Sequence, residues 1–217
     1  MLKNTKTDNI YASILADGML HVPSTEGTEG AVRRDYETSS GEKGTKWEHV
    51  YSELTGKISK VAFREGDYGL QLQVTFDDEG NKPIVLSVNA QSNFGEDIMK
   101  KLPNVDMEKA VKLVPYSFKD EKGKTKRGVT IYQDEEKIQS FYYDSKTKKP
   151  LHGYPVAKIP KVKKGEKVPT SFWKLFYLQA NAFLVEDLKG RLKIEETVEA
   201  TDGELESMVE EAGKNLE

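Results

Sequence analysis

From Lys119 to Arg127 the chain carries five cations, Lys119, Lys122, Lys124, Lys126 and Arg127, against Asp120 and Glu121, with Phe118 before the run and Tyr132 beyond it. Clustered ammonium and guanidinium groups attract a polyanion, and rings at the margin offer flat faces on which planar groups stack. Three further sets of residues have related chemistry. Trp47, His49 and Tyr51 fall on one side of a period-two pattern whose other side holds Val50 and Leu54. Lys57, Lys60 and Arg64 precede Gln71, Gln73 and Thr75, which alternate with Leu70, Leu72, Val74 and Phe76. Phe141, Tyr142 and Tyr143 are consecutive, so a strand cannot face all three inward. Either Phe141 and Tyr143 are core and Tyr142 is exposed for contact, or the reverse.

Catalytic chemistry has little footing. The histidines, His21, His49 and His152, are scattered, and no Gly-rich phosphate loop or nucleophile motif occurs. Asp77-Asp78-Glu79 has the composition of a magnesium site, but it precedes Gly80-Asn81 between two strands and reads as a hairpin turn. The expectation is a binding protein without enzyme activity, metal or cofactor.

Charge is unevenly spread. Residues 195–217 hold nine carboxylates against Lys214, a net of −8 in a chain of net −3, so the other residues sum to +5. A basic body with an acidic tail suggests nucleic-acid contact, with the tail as competitor or partner hook; the plain alternative is a solvated acidic segment. The chain is 36% hydrophobic and 32% charged over 217 residues, which predicts a modest core with polar extensions. It has no cysteine, excluding disulfides and thiolate metal sites and fitting a reducing compartment. No signal peptide and no membrane span are found by length or polarity. The sequence therefore reads as soluble and cytoplasmic, in the host cytoplasm if the protein is viral.

These residues need elements to hold them. A hairpin is expected over 10–22, turning at Asp17-Gly18, and a second over 32–51. One long strand, 50–63, with Gly56 as a bend or bulge, leads through turns into strands near 70–76 and 84–89. Phe94, Ile98, Met99 and Leu102 predict a short helix over 93–102, closed by Pro103. Strands at 111–118, 129–133 and 137–143 follow. Beyond Asp144 the connector 144–169 has eight lysines against Glu166 and prolines at 150, 155, 160 and 169. It leads to an amphipathic helix, 171–188, with Thr170 or Ser171 as cap, Gly190 as stop, and Trp173, Phe176, Tyr177, Ala180, Phe183, Leu184 and Leu188 as its apolar stripe. In the tail Leu205, Met208, Val209, Ala212 and Leu216 also recur at helical spacing.

A three-strand meander, a short helix, then a closing hairpin is the order of an OB-fold, a five-stranded Greek-key barrel that binds oligonucleotides or oligosaccharides. The run Leu54-Thr55-Gly56-Lys57-Ile58 through Tyr68-Gly69 resembles the opening of such domains. With the basic body and acidic tail, the chain resembles a bacteriophage-type single-stranded DNA-binding protein. The tail departs from that family in ending Lys214-Asn215-Leu216-Glu217 rather than on an aromatic residue. The resemblance implies a mainly β fold. An N-terminal hairpin extension (1–45) would precede an OB-fold-like five-stranded barrel (46–143). The lysine-rich connector (144–169), a C-terminal helix packed on the barrel (170–190) and an acidic tail (191–217) would follow. It implies non-sequence-specific binding of single-stranded DNA in phage or mobile-element replication or recombination, with the tail modulating binding or recruiting replication proteins. The expected contacts are Trp47, Tyr51, Lys57, Lys60, Arg64, Gln71, Gln73, Phe118, Lys122, Lys124, Lys126, Arg127, Tyr132 and Tyr142. The rival readings are a protein-interaction module and an RNA- or oligosaccharide-binding barrel.

Overall fold

The computed structural model describes residues 9–38, 41–66, 69–77, 82–147, 149–163 and 166–194. The acidic tail expected over 195–217 lies outside them, as do Asp78 and Glu79. Among the described residues the fold is mainly β, with one large sheet and two α-helices. Ordered along the chain, the strands are β1 (Ile10–Ile14), β2 (Leu20–Ser24), β3 (Val32–Glu37), β4 (Lys43–Tyr51), β5 (Leu54–Arg64), β6 (Gln71–Asp77) and β7 (Ile84–Asn89). Helix α1 (Asn93–Lys101) and a 3-10 turn (Leu102–Asn104) follow, then β8 (Ala110–Lys119), β9 (Thr125–Gln133), β10 (Glu136–Lys137), β11 (Tyr143–Asp144), β12 (Lys149–Pro150) and α2 (Thr170–Leu192).

Ten strands form one sheet in the order β10-β9-β8-β5-β6-β7-β1-β2-β4-β3. The β5–β6–β7 meander and the return of β8 onto β5 fulfil the expected order, and β1 joins the outer edge of β7 in parallel. A five-stranded closed ring is not what the ladders form. Among the described residues no ladder joins β7 to β9, and three other contacts occupy the seam. The backbone N–H of Val129 donates to Asp97 Oδ2 at 2.7 Å, and the ammonium of Lys101 donates to the Val129 carbonyl, so α1 satisfies the β9 edge at Val129, short of where β10 pairs with it. Arg127 Nε donates to the carbonyl of Ala16 at 3.1 Å. Gly18, at φ +79, lies so close to β8 that a Cβ there would stand 2.3 Å from the Ser117 nitrogen. The turn between β1 and β2 thus reaches the β8–β9 hairpin although the strands are far apart in sheet order. The sheet curls, and side chains bridge the seam that backbone does not.

The predicted single strand over 50–63 is two. It breaks at Ser52-Glu53, passing from the N-terminal arm (β4 with β2 and β3) into the body (β5 with β6 and β8). The bulge falls between Ile58 and Lys60, not at Gly56. Gly56 serves close approach, since a Cβ there would lie 3.1 Å from the Asp77 carbonyl oxygen. The strand expected over 137–143 exists only as the short β10 and β11.

Period-two patterning builds the core: Leu72, Val74 and Phe76 of β6, Leu86 and Val88 of β7, Leu113 of β8, and Val129 and Ile131 of β9 face inward. Helix α1 caps this interior with Phe94, Ile98 and Met99, followed by Leu102 of the 3-10 turn. Ser92 starts α1 by accepting the Gly95 N–H at 3.0 Å, the side-chain capping that helix N-termini favour. Helix α2 is longer than expected at both ends, beginning after Pro169 without a side-chain cap and running past Gly190. Only its second half, through Ala180, Asn181, Leu184, Val185 and Leu188, is buried on the body. There Asn181 donates to the Ala90 carbonyl at 2.7 Å.

Candidate nucleic-acid interface

Strand register decides which of the expected residues share a surface. Opposed residues in a ladder lie on the same face. On β8–β9 the inward row is Val111, Leu113 and Pro115 against Val129, Ile131 and Gln133. The outward row is therefore Lys112, Val114, Tyr116 and Phe118 against Tyr132, Thr130, Gly128 and Lys126. Lys112 also opposes Thr55 of β5, which places Tyr132, Lys112 and Thr55 side by side across three strands. The row continues on β5–β6 with Lys57 opposite Asp77, Lys60 opposite Thr75 and Arg64 opposite Gln71. Through β7 it reaches β1, where Tyr11 opposes Val85 and stands 54% exposed. One outer face thus gathers Lys57, Lys60, Arg64, Gln71, Gln73, Phe118, Lys126 and Tyr132.

Its side chains alternate charge and ring. The Lys112 ammonium lies over the Tyr132 ring, 5.4 Å from its centre. Tyr116 and Phe118 approach at 5.8 Å between centroids, and Phe118 is 56% exposed. Lys57 pairs with Glu108 at 2.7 Å, which raises its pKa further. Lys122 and Lys124 stand on a tight hairpin: their backbone N–H groups both donate to Asp120 Oδ1, at 3.0 and 2.9 Å, and Gly123 at φ +72 completes the turn. Lys126 lies 3.8 Å from Asp120 Oδ2. The loop is a firm projection whose two carboxylates are used unequally, Asp120 for the turn itself.

Sequence reasoning missed Lys112, Tyr116 and Tyr11. For Lys112 and Tyr116 the signal was present, because strict alternation with Val111, Leu113 and Pro115 marks them outward.

Four expected contacts belong elsewhere. Tyr142 is in the core: fully buried, it donates its hydroxyl to Asp187 Oδ2 at 2.6 Å, and burial, then that bond, raises its pKa. It pins α2 to the body and presents no face to a ligand. Arg127 alternates with Lys126 to the opposite side of β9, where its Nε donates to the Ala16 carbonyl and, at 3.4 Å, to the Ser117 hydroxyl. Trp47 and Tyr51 are not on the outer face either. Tyr51 opposes Leu20 and His49 opposes Val22, so the Trp47-His49-Tyr51 stripe continues the core side of the sheet, while Glu48 faces the other way with His21. The break at Ser52-Glu53 causes the inversion, since it places Tyr51 and Leu54 around the same hollow. That hollow is a mainly apolar cleft of about 620 Å³ where the arm overhangs the body, walled by Ile10, Ala12, Val22 and Ile84. His49 and Tyr51 sit at its mouth with ring centroids 6.3 Å apart, and Tyr51 is half exposed.

A third polar feature lies behind the arm. His21 Nδ1 is 2.8 Å from Glu48 Oε2 and its Nε2 is 3.0 Å from Asp17 Oδ2. Arg34 grips Glu48 through two bonds of 2.7 Å. Those Arg34 bonds, outweighing burial, hold the Glu48 carboxyl down to about 2. Ser13 of β1 opposes His21 in the ladder, and the bonds among His21, Glu48 and Arg34 tie β2, β3 and β4 together. Of the Asp77-Asp78-Glu79 triplet, Asp77 accepts the Ser59 hydroxyl at 2.8 Å.

Among the described residues no helix is long and apolar enough to cross a membrane. No protein-family model, no curated protein and no solved structure matches this chain.

Proposed function

We propose that the protein binds single-stranded DNA without sequence preference, using an OB-fold-like body whose outer face carries the strand. The observation that carries this reading is the register row joining Tyr132, Lys112 and Thr55 and continuing to Lys57 and Lys60. Phosphates follow a cationic path and bases stack on rings beside it, which is the combination needed to hold a single strand of any sequence. The meander, capping helix and hairpin order supports the OB-like assignment, with α1 and the β1–β2 turn standing where a closing ladder would run. The resemblance supports a role for this activity in phage or mobile-element replication or recombination, with the acidic tail modulating it or recruiting replication proteins.

The test is a titration of a labelled single strand and of its duplex at two salt concentrations. Tighter binding of the single strand, weakening as salt rises by about 0.7 in log–log slope for each phosphate contact, is the expected result. Salt-independent binding would turn the reading toward a sugar-binding barrel, and equal affinity for duplex would remove the single-strand claim.

A further inference from the structure

The first turns of α2 are apolar around their whole circumference. Phe172, Trp173, Leu175, Phe176, Tyr177 and Leu178 are interrupted only by Lys174, and successive residues on a helix step about 100° around its axis. A helix apolar on every side is normally enclosed. Here Leu175, Tyr177 and Leu178 are each more than half exposed, and the rings of Trp173, Phe176 and Tyr177 pack mainly on one another. The strap leading into this helix continues the surface, with Val156 exposed ahead of Lys158 and Ile159 exposed between Lys158 and Lys161. The whole is an apolar and cationic surface, larger than scattered surface hydrophobes account for.

The chain itself carries a segment of opposite character. Residues 195–217 have net charge −8 and place Leu205, Met208, Val209 and Leu216 among the carboxylates. They begin next to Ile194, at the other end of the same helix. The exit from α2 turns off its axis: Lys193 adopts left-handed dihedrals, φ 50 and ψ 44, and the Ile194 N–H bonds back to the Lys189 carbonyl at 3.0 Å. From Leu192 back to Leu178 is about 21 Å along the helix at its usual rise. Even a wholly helical segment 195–217 would reach about 34 Å by the same rise, past that surface. We propose that the acidic segment 195–217 docks in the same chain on the exposed aromatic half of α2 and the lysines beside it. Leu205, Met208 and Val209 would cover the rings, and the carboxylates would face Lys158, Lys161, Lys167 and Lys174. This proposal goes beyond the binding of single strands and needs no nucleic acid.

The experiment uses the full-length chain with Trp47→Phe, so that Trp173 alone emits. Blue-shifted emission and weak acrylamide quenching, both independent of protein concentration, are expected. Adding Leu205→Ser, Met208→Ser and Val209→Ser should shift emission to the red and raise quenching several-fold. Hydrogen exchange over 170–178, in chains that keep Trp47, provides the second reading: protection should fall several-fold with the same three changes and with raised salt. Identical protection with and without the tail changes overturns the proposal. Protection that appears only as protein concentration rises assigns the surface to a second copy and overturns it equally.

Discussion

The body and the N-terminal arm of this protein are held together by different physics. In the body, β5 to β9 and α1 close on aliphatic and aromatic side chains with little access to water, among them Leu72, Phe76, Leu113 and Ile131. In the arm, β3 is exposed along most of its length, and β4 is tied to β2 and β3 through the lock of Asp17, His21, Glu48 and Arg34. Apolar burial is insensitive to pH and salt at the level of single groups, whereas a carboxylate lock depends on its charge. A folded chain can therefore keep its body while its arm is released, and the outer face proposed for binding belongs to the body.

The largest expected effect is on the body. Leu113 is almost wholly buried in the core of the body, so Leu113→Ala should cost about 2–5 kcal/mol of stability, depending on how far its surroundings collapse into the space. Chemical denaturation measures it, and the loss should be alike at neutral pH and in mild acid. A loss confined to acid would mean that the body also rests on charge.

A smaller effect separates the arm. Folding lowers the Glu48 pKa from 4.5 to about 2, so its stabilising contribution is complete above 4.5 and is lost as pH falls from there through about 2. Hydrogen exchange should show β3 and β4 losing protection over that window while β8 and β9 keep theirs. Glu48→Gln should loosen the arm at neutral pH, by about 1–3 kcal/mol, because a buried hydrogen-bonding site loses its charged acceptor. Simultaneous loss of protection in both regions would erase the distinction between them.

The sequence made the body more legible than its seam. Alternation along β6 and the spacing of Phe94, Ile98 and Met99 follow from local periodicity, which a single chain displays. Asp97 and Lys101 closing the edge of β9, and Arg127 reaching Ala16, join residues up to 111 positions apart, and no local pattern encodes them. The candidate site was legible in composition and less so in orientation. Two residues, Ser52 and Glu53, reverse the face on which Trp47 and Tyr51 lie, and a strand break of that length leaves little mark on polarity. Tyr142 could not be placed because its partner, Asp187, lies in α2.

The smallest expected effect on stability belongs to the outer face, and it separates binding from both supports. Lys122, Lys124 and Lys126 are exposed, while the turn beneath them is held by Asp120. Replacing all three by glutamine should leave stability within about 0.5 kcal/mol, as for other surface substitutions. If each touches a phosphate, the slope of log affinity against log salt should become shallower by about 2 in total, the sum of three single-strand contacts. Arg127→Ala, one residue further on, supplies the contrast. It removes the bond to the Ala16 carbonyl and should lower stability by about 1 kcal/mol, with the slope preserved because its guanidinium faces the seam. An unchanged slope in the triple variant would move the strand off this hairpin. A slope that falls with Arg127→Ala instead would place the phosphates at the junction of arm and body, where the two modes of support meet.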